Sequence, residues 1–339
     1  MEEKRRKRLI SYIGKFSGRN VAVVGDLALD WYLFGSISRV NPEMPHAPVL
    51  KALKKDVYVL GCAGNVAANL ATLGAKVSLY GILGKEKEGN SVNLNHFFNR
   101  KIHYQIKKLG IRGRFYHERD TLVKQRVKEI HHNGYVTRVD HGEQSLAPLS
   151  EDAKRSLMRR LTSNRDLEAI VLSDYNKTMF REGFSQEIIQ WAISRGIPVF
   201  SDPKPANFEY FKLSTVIRPN ETEARNMTGM QSEEDIKDVL QTLRRRTSSK
   251  YVIITKGKEG MIIGHEKGVM DVRTKARGVV DVVGAGDTVI SVITLGIISG
   301  ADVLDAALLG NYAAGIVVEK PGTATLTRKE LAERISSED

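Results

Sequence analysis

Residues 169–201, AIVLSDYNKTMFREGFSQEIIQWAISRGIPVFS, contain a strand, a helix and a second strand by pattern alone. Residues 169–173 and 198–201 are short, mostly apolar runs, and residues 183–195 have the apolar spacing of an amphipathic helix. This order predicts a right-handed crossover between two parallel strands. The alternation extends outward along the chain, to strands at 21–25, 77–81, 215–218 and 252–255 and helices at 65–73 and 150–161.

Such alternation predicts an α/β fold with a doubly wound, mostly parallel sheet covered by helices on both faces. Two segments depart from it: residues 33–58 contain three prolines, and residues 121–140 alternate with a period of two around a turn at Asn133-Gly134. They predict a small β-lid inserted into a single domain of residues 1–339. Because exposed sheet edges favour pairing, we expect a homodimer joined through the lids.

The composition is that of a globular protein, with 41% hydrophobic and 27% charged residues among 339. Cys62 is the only cysteine, which excludes an internal disulfide and a cysteine zinc cluster. The apolar window 288–301 is shorter than the roughly 17–25 residues of a membrane span, and the chain start lacks a secretory pattern. We therefore expect a cytoplasmic protein. The net charge of +12 could serve nucleic acid or a phosphorylated substrate, but the basic residues are mostly dispersed, which favours a solvated surface over a nucleic-acid footprint. We expect a small-molecule sugar phosphate as the partner, and no nucleic acid or membrane.

The strongest local signal is DVVGAGDT at residues 281–288, directly before an apolar helix at 289–299. Glycines at a helix start let backbone N–H groups point at an anion, and the helix dipole favours negative charge there. We predict an anion hole at Gly284, Ala285 and Gly286. Asp287 would repel a bound phosphate, so we interpret it as the base that takes a hydroxyl proton during phosphoryl transfer.

Other polar residues follow predicted strands, where α/β sheets bind ligands. Asp26 and Asp30 follow strand 21–25 and are candidate contacts for sugar hydroxyls, or turn residues. Asn65 opens a helix beside two glycines and is either a ligand contact or part of a helix cap. Lys177 and Lys204 follow two further strands and are candidate phosphate contacts or solvent-facing cations.

Asn220 and Glu223 stand three residues apart at a helix start after strand 215–218. Their oxygens share a face of the helix and could hold a hydrated Mg²⁺. The same pair fits a capping box, with Asn220 as N-cap and Glu223 at the third helical position. The sequence leaves both interpretations open.

Together these segments resemble the ribokinase/PfkB-type carbohydrate kinases. The glycine-Asn helix start near residue 61, the Asn220-x-x-Glu223 pair and the Gly-Ala-Gly-Asp site at 284–287 occur in that family's order. Within the family, GDLALD at 25–30, SRVNPE at 38–43, LSDY at 172–175, DPK at 202–204 and PGTAT at 321–325 are similar to the heptose 7-phosphate kinases of lipopolysaccharide-precursor synthesis.

The resemblance implies ATP-dependent phosphorylation of D-glycero-β-D-manno-heptose 7-phosphate at O1, in ADP-heptose synthesis. It makes Asp287 the base and residues 284–286 the anion hole. The sugar contacts that it implies are Asp26, Asp30 and Asn65. The implied ATP contacts are Asn220, Glu223, Thr255, Gly257 and Asn311, with Mg²⁺ on Glu223 and, through water, Asn220. The cations that we expect to hold the substrate's own phosphate are Arg39, Arg126, Lys177 and Lys204.

This sequence departs from the subgroup's pattern at four positions. Cys62 and Thr178 replace usual glycines, Trp31 replaces an arginine, and Val283 replaces a hydroxyl residue. These departures favour, as an alternative, a kinase for another sugar or sugar phosphate; a sugar- or nucleotide-binding regulator without activity is a third interpretation. No His-x-Gly-His motif of a nucleotidyltransferase is present, so we expect the kinase half alone.

Overall fold

The structure, a computed structural model, describes residues 3–86, 94–131, 134–273 and 278–337. The helices are α1 (Glu3–Gly14), α2 (Ala63–Thr72), α3 (Leu94–Lys108), α4 (Glu151–Thr162), α5 (Phe184–Ser194), α6 (Glu221–Thr228), α7 (Ile236–Thr247), α8 (Ala285–Ile298), α9 (Val303–Val317) and α10 (Arg328–Ser336). Within these ranges every helix falls short of what crossing a lipid bilayer requires. Asn133 of the predicted turn lies outside the described residues.

The strands form two sheets. They are β1 (Asn20–Gly25), β2 (Leu27–Asn41), β3 (Met44–Ala52), β4 (Val57–Cys62), β5 (Lys76–Gly84), β6 (Arg112–Arg119), β7 (Leu122–Glu129), β8 (Tyr135–His141), β9 (Ala169–Ser173), β10 (Val199–Asp202), β11 (Val216–Ile217), β12 (Tyr251–Thr255), β13 (Met261–His265) and β14 (Gly268–Val272).

The larger sheet has the order β14-β13-β12-β11-β10-β9-β1-β5-β6 among the described strands. Neighbours from β6 to β12 run parallel, and only the β12–β13 and β13–β14 pairs are antiparallel. Each of the six strands predicted outside the two lid segments lies in this sheet. The predicted α/β class with a mostly parallel sheet is confirmed.

Alternate side chains of the central strands face two different apolar layers. Val21 and Val23 of β1 pack in the layer that contains α2, α8 and α9. Ala22 and Val24 pack in the opposite layer, with α4 and α5. Because both faces are covered, the polar ends of the strands are left as the place where this sheet can bind a ligand.

The smaller sheet, here called the lid sheet, has the order β3-β2-β7-β8, with β4 also paired to β2. Its strands lie within residues 27–62 and 122–141, which contain most of the two segments predicted to form a lid. A single residue, Asp26, separates the end of β1 in the larger sheet from the start of β2 in the lid sheet. The main sheet and the lid sheet therefore meet beside the carboxyl end of β1.

Candidate active site

The carboxyl ends of the parallel strands bring polar residues together. Asp26 follows β1, Asp174 follows β9, Asp202 ends β10 and Arg218 follows β11. Helix α8 packs against β9 and β10, so its first turn lies at the same edge of the sheet. The octet at 281–288 and the strand ends thus contribute to one site.

The start of α8 has the geometry of an anion site. Gly284 is the N-cap residue in a left-handed conformation, with φ of 82°. The N–H groups of a first helical turn have no intrahelical acceptor, and this end of the helix dipole is positive. The guanidinium of Arg218 adjoins Gly286, since a Cβ atom built there would lie 2.8 Å from its terminal nitrogens. Backbone donors and a buried cation therefore converge where the sequence predicts the anion hole.

Asp287 is buried in the same helical turn and accepts two side-chain hydrogen bonds. Asn65 Nδ2 donates to its Oδ2 atom at 2.8 Å, and the Tyr175 hydroxyl donates to Oδ1 at 2.7 Å. Burial raises the pKa of Asp287 to about 6, although these two hydrogen bonds act in the opposite direction. The carboxylate is thus held in place and remains ionised at neutral pH, as a base requires.

Asp287 is one of the residues that line a cavity of about 560 Å³. Much of its wall is apolar, with Met261, Val289 and Val318 among the lining residues. A volume of this size suits a nucleotide-sized ligand. The structure brings all the predicted ATP contacts to this cavity, whose polar lining includes Asn220, Glu223, Thr255, Gly257 and Asn311.

Asn220 and Glu223 form the capping box that was one of the two interpretations of their spacing. Asn220 Oδ1 accepts from the Glu223 N–H at 2.8 Å, and Glu223 Oε2 accepts from the Asn220 N–H at 3.0 Å. The other carboxylate oxygen of Glu223 accepts from the Lys204 ammonium. Both capping residues still line the cavity, so the cap and a contact to ligand-bound water are compatible.

The donor set of the cavity fits a hydrated Mg²⁺. Within the described ranges no group of three or more His, Cys, Asp or Glu side chains is arranged to hold a metal by itself. Mg²⁺ at a nucleotide keeps several waters and needs only one or two carboxylates. Glu223 and Asp202 both line the cavity, and the buried Oδ1 atom of Asp202 has no hydrogen-bond partner among the residues described. These oxygens suit that coordination.

Asp30 of β2 lies where the lid sheet meets the segment before α10. Its Oδ1 atom accepts from Arg126 at 3.3 Å, and its Oδ2 atom accepts from the Thr323 hydroxyl at 2.9 Å. A Cβ atom at Gly61 would lie 3.0 Å from the Asp30 carboxylate, so glycine there leaves room for this side chain. Asp30 is nearly buried, with 3% of its surface exposed, and is held next to a lid arginine.

Residues 19–330 match the pfkB family of carbohydrate kinases. The chain belongs to this family. Bifunctional protein HldE of a Nitratiruptor species is 35% identical over 317 residues, covering 92% of the chain and 64% of the relative. The HldE protein of Syntrophotalea carbinolica is 33% identical over 336 residues, covering 98% and 66%. The kinase thus spans 64–66% of the length of these two relatives.

Solved structures share the fold at low sequence identity. Phosphofructokinase-2 from Escherichia coli in complex with fructose-6-phosphate has a TM-score of 0.76 at 16% identity, covering 94% of this kinase and 98% of that chain. Ribokinase from Arabidopsis thaliana complexed with ribose and ATP has a TM-score of 0.69 at 17% identity, covering 95% and 100%. The predicted ribokinase-like fold is confirmed by these structures. The predicted enzyme class, a carbohydrate kinase, is confirmed by the family match.

Asp26 does not fit the sugar contact expected of it. Its side chain has no exposed surface, and both carboxylate oxygens accept hydrogen bonds from the protein. Oδ2 accepts from the N–H groups of Tyr175 at 3.0 Å and Lys177 at 2.9 Å, while Oδ1 accepts from Met179 N–H and Arg119. Asp26 therefore holds the segment after β9 in place, and the kinase leaves no oxygen of it exposed to a sugar.

The four cations predicted to hold the substrate's phosphate lie in different places. Lys204 lines the nucleotide-sized cavity and pairs with Glu223. Lys177 pairs with Glu143 at 2.6 Å, and Arg39 is exposed in the distal half of β2. Arg126 alone among the four contacts Asp30, at 3.3 Å. Its Nε atom is buried and has no partner within the described part of the chain, which leaves a donor for a ligand.

Two of the four departures from the family pattern occupy backbone positions that favour glycine. Cys62, the N-cap of α2, has φ of 54°, and Thr178 has φ of 76°. Positive φ is costly for residues with a Cβ atom, which explains why glycine is usual at both places. Burial raises the pKa of Cys62 to about 12, so its thiol is not a nucleophile here.

Sequence reasoning missed three residues that complete the site: Tyr175 beside Asp287, Arg218 beside Gly286 and Thr323 beside Asp30. Arg218 directly follows strand β11, so the rule that polar residues after strands bind ligands could have identified it. Tyr175 and Thr323 stood in the LSDY and PGTAT motifs, which assign no role to either side chain.

Proposed function

We propose that this kinase phosphorylates O1 of D-glycero-β-D-manno-heptose 7-phosphate, producing the 1,7-bisphosphate and ADP. The observation that carries this proposal is the buried Asp287 carboxylate, held by two donors beside the helix terminus and Arg218. The relatives named HldE and the motifs similar to heptose 7-phosphate kinases support the choice of sugar.

In the proposed reaction, Asp287 takes the proton of the acceptor hydroxyl as that oxygen forms a bond to the γ-phosphorus of ATP. The bond from this phosphorus to the β,γ-bridging oxygen breaks, and ADP leaves with that electron pair. N–H groups at the start of α8 and the Arg218 guanidinium would stabilise the charge on the transferred phosphoryl group. The oxygens of Glu223 and Asp202 would hold a hydrated Mg²⁺, which would supply positive charge to neutralise the phosphates.

A panel of sugars assayed with ATP and Mg²⁺ tests the proposal. It contains heptose 7-phosphate, the same heptose without phosphate, fructose 6-phosphate and ribose. We expect turnover with heptose 7-phosphate at a kcat/KM at least about a hundredfold above the two sugars without phosphate, since lost contacts to a charged group cost roughly this much. We also expect it to exceed that of fructose 6-phosphate. If fructose 6-phosphate or ribose is turned over preferentially, that sugar is the substrate and the heptose assignment is wrong. If no sugar is turned over, the proposed kinase reaction is wrong.

The position of Arg126 predicts that it holds the phosphate of the substrate that does not react. Arg126→Ala is expected to raise KM for heptose 7-phosphate by about tenfold, equivalent to about 1.4 kcal/mol, with a smaller change in kcat and in KM for ATP. Steady-state kinetics with each substrate varied in turn measure this. The control is Arg138→Ala. Arg138 of β8 lies opposite Arg126 of β7, but its guanidinium donates to Asp140 and not to Asp30. Equal KM values for wild type and Arg126→Ala would place this phosphate elsewhere.

We also propose that the active enzyme is a homodimer joined through the lid sheets. β3 and β8 are the edges of that sheet, and exposed apolar side chains lie on it, with Met44 61%, Val40 59% and Val139 44% exposed. Unpaired strand edges next to exposed apolar groups favour association with a second copy.

Light scattering at micromolar concentration is expected to give twice the mass of one chain. Met44→Asp should shift the mass toward the monomer, because it places a charge on the edge strand. Ile193→Asp, at a 50% exposed position of α5, should leave the dimer intact. A fully active monomer of the wild-type protein would contradict the prediction.

A further inference from the structure

Tyr175 makes the shortest described hydrogen bond to the carboxylate of the proposed base, with its hydroxyl 2.7 Å from Asp287 Oδ1. Asn65 occupies the other oxygen at 2.8 Å, so the carboxylate is held from two sides. We propose that Tyr175 is a positioning residue that fixes the orientation of Asp287 toward the acceptor hydroxyl. This inference rests on the proposed function, in which Asp287 accepts that proton.

Tyr175 is itself held firmly through its backbone. The segment after β9 is anchored by Asp26, which accepts from the Tyr175 N–H at 3.0 Å and the Lys177 N–H at 2.9 Å. Asp174 adds a hydrogen bond from the Asn176 N–H at 2.7 Å. Because these buried carboxylates fix the segment, the position of the phenol hydroxyl is set by the fold before any ligand binds. The buried Asp26 thus contributes to the site through Tyr175.

Two lysines limit the movement of the Tyr175 ring. The ammonium of Lys124, from β7 of the lid sheet, lies 4.9 Å from the ring centroid. The ammonium of Lys204, which lines the nucleotide-sized cavity, lies 5.4 Å from it. Contacts of this kind are attractive, so both the lid sheet and the cavity wall stabilise the ring where its hydroxyl meets Asp287.

The electrostatics agree with a donor role for Tyr175. Burial and the negative charge of Asp287 raise the pKa of the Tyr175 hydroxyl well above its ordinary value, so it keeps its proton. Burial raises the pKa of Asp287, and the hydrogen bond from Tyr175 is the largest influence that lowers it. Among the described residues, the other charged or titratable groups that interact with Asp287 are Asp202, Arg218 and Cys62.

The test is Tyr175→Phe, which removes the hydroxyl and keeps the ring. We expect the plateau kcat to fall about tenfold or more, since a misplaced catalytic group loses rate steeply. The midpoint of the acid limb of kcat should move up by about one pH unit, because a donor to the carboxylate is lost. KM for ATP should stay within about twofold. Tyr58→Phe is the matched control: its hydroxyl donates to Asp56, just before β4, and its pH profile should equal that of wild type.

A fall in kcat with an unmoved acid limb would mean a structural role and would overturn the proposal, as would wild-type kinetics throughout. If Tyr175→Phe does not fold, 3-fluorotyrosine at position 175 serves instead. It is a stronger donor of the same shape, so the midpoint is expected to move down; an unchanged midpoint counts against the proposal.

A readout without turnover separates this proposal from the proposed function. In protein labelled with ¹³C at aspartate carboxyls, the Asp287 signal is the one missing from Asp287→Asn. We expect it to titrate near pH 6 in wild type and about one pH unit higher in Tyr175→Phe. If no sugar is phosphorylated, the proposed function fails while this titration still tests the contact. Equal midpoints in both proteins would overturn the positioning role.

Discussion

Asp287→Asn is expected to reduce kcat by about 10²–10⁴-fold, the range that general base catalysis contributes. The amide keeps the size of the carboxylate but cannot take a proton from the acceptor hydroxyl. Binding of ATP should change little, because the cavity that it would occupy has many other lining residues, among them Thr255 and Asn311. This variant therefore separates the chemical step from nucleotide binding.

The measurement combines steady-state kcat with calorimetric titration of a nonhydrolysable ATP analogue. Asp152→Asn is a suitable control, since it makes the same change in an exposed ion pair on α4. We expect the control to match wild type in both measurements. If Asp287→Asn keeps more than about a tenth of the wild-type kcat, Asp287 is not the base.

The same residue fixes the direction of the pH dependence. Burial raises the pKa of Asp287 to about 6, and only the ionised carboxylate can accept a proton. The kcat should therefore be constant above this pH and fall as the pH drops below it. In Asp287→Asn the remaining activity should lose this limb, which ties the profile to one group.

Much of the fold follows from the sequence because buried parallel strands are nearly continuous apolar runs. β1 and β9 show this directly: every residue of β9 is buried, as is all of β1 after Asn20. β6 escaped prediction because it is an edge strand of sequence RGRFYHER, in which only Phe115 and Arg119 are buried. The position of β6 in the sheet depends on its pairing with β5, and the local sequence of β6 does not predict that pairing.

The candidate site shows the same division. The glycines and Asp287 form a local motif, so the turn and the helix start could be read from eight residues. The role of Asp26 could not be predicted in this way, because its place at the end of a strand does not determine the direction of its side chain. The structure turns Asp26 toward the backbone of residues 175–179, whereas Asp30 points toward Arg126 and Thr323. The Tyr175–Asp287 contact spans 112 residues of sequence and exists only through the fold.

Gly284→Ala is expected to lower kcat by about a hundredfold, although Gly284 itself neither donates nor accepts the transferred proton. Gly284 has φ of +82°, and a Cβ atom there would lie 2.5 Å from Asn65 Nδ2. Asn65 must move, and with it the hydrogen bond that it donates to Asp287. The start of the anion hole shifts as well. Displacing a catalytic group or an oxyanion donor costs on the order of a hundredfold in rate.

Gly300→Ala provides a matched control at the other end of the same helix. Gly300 also has positive φ, +95°, but no described atom lies within 4 Å of a Cβ atom built there. Both substitutions therefore cost about 1–2 kcal/mol of folding stability through backbone strain. Thermal unfolding should show this loss in both variants, and a larger one in Gly284→Ala, because the displaced Asn65 adds to the strain. Only Gly284→Ala should lose activity. If Gly300→Ala loses kcat equally, backbone strain alone explains the effect of Gly284→Ala.

The clash with Asn65 is isolated by a double-mutant cycle. Asn65→Ala removes the donor to Asp287 and also the atom that the new methyl group would strike. In that background Gly284→Ala should reduce kcat far less than it does in wild type, because neighbouring residues that act together are not additive. If the two losses multiply instead, Gly284 acts on the phosphoryl group through the backbone and not through Asn65. Either result identifies which contact of this glycine supports the reaction, since the cycle removes the common effect of strain.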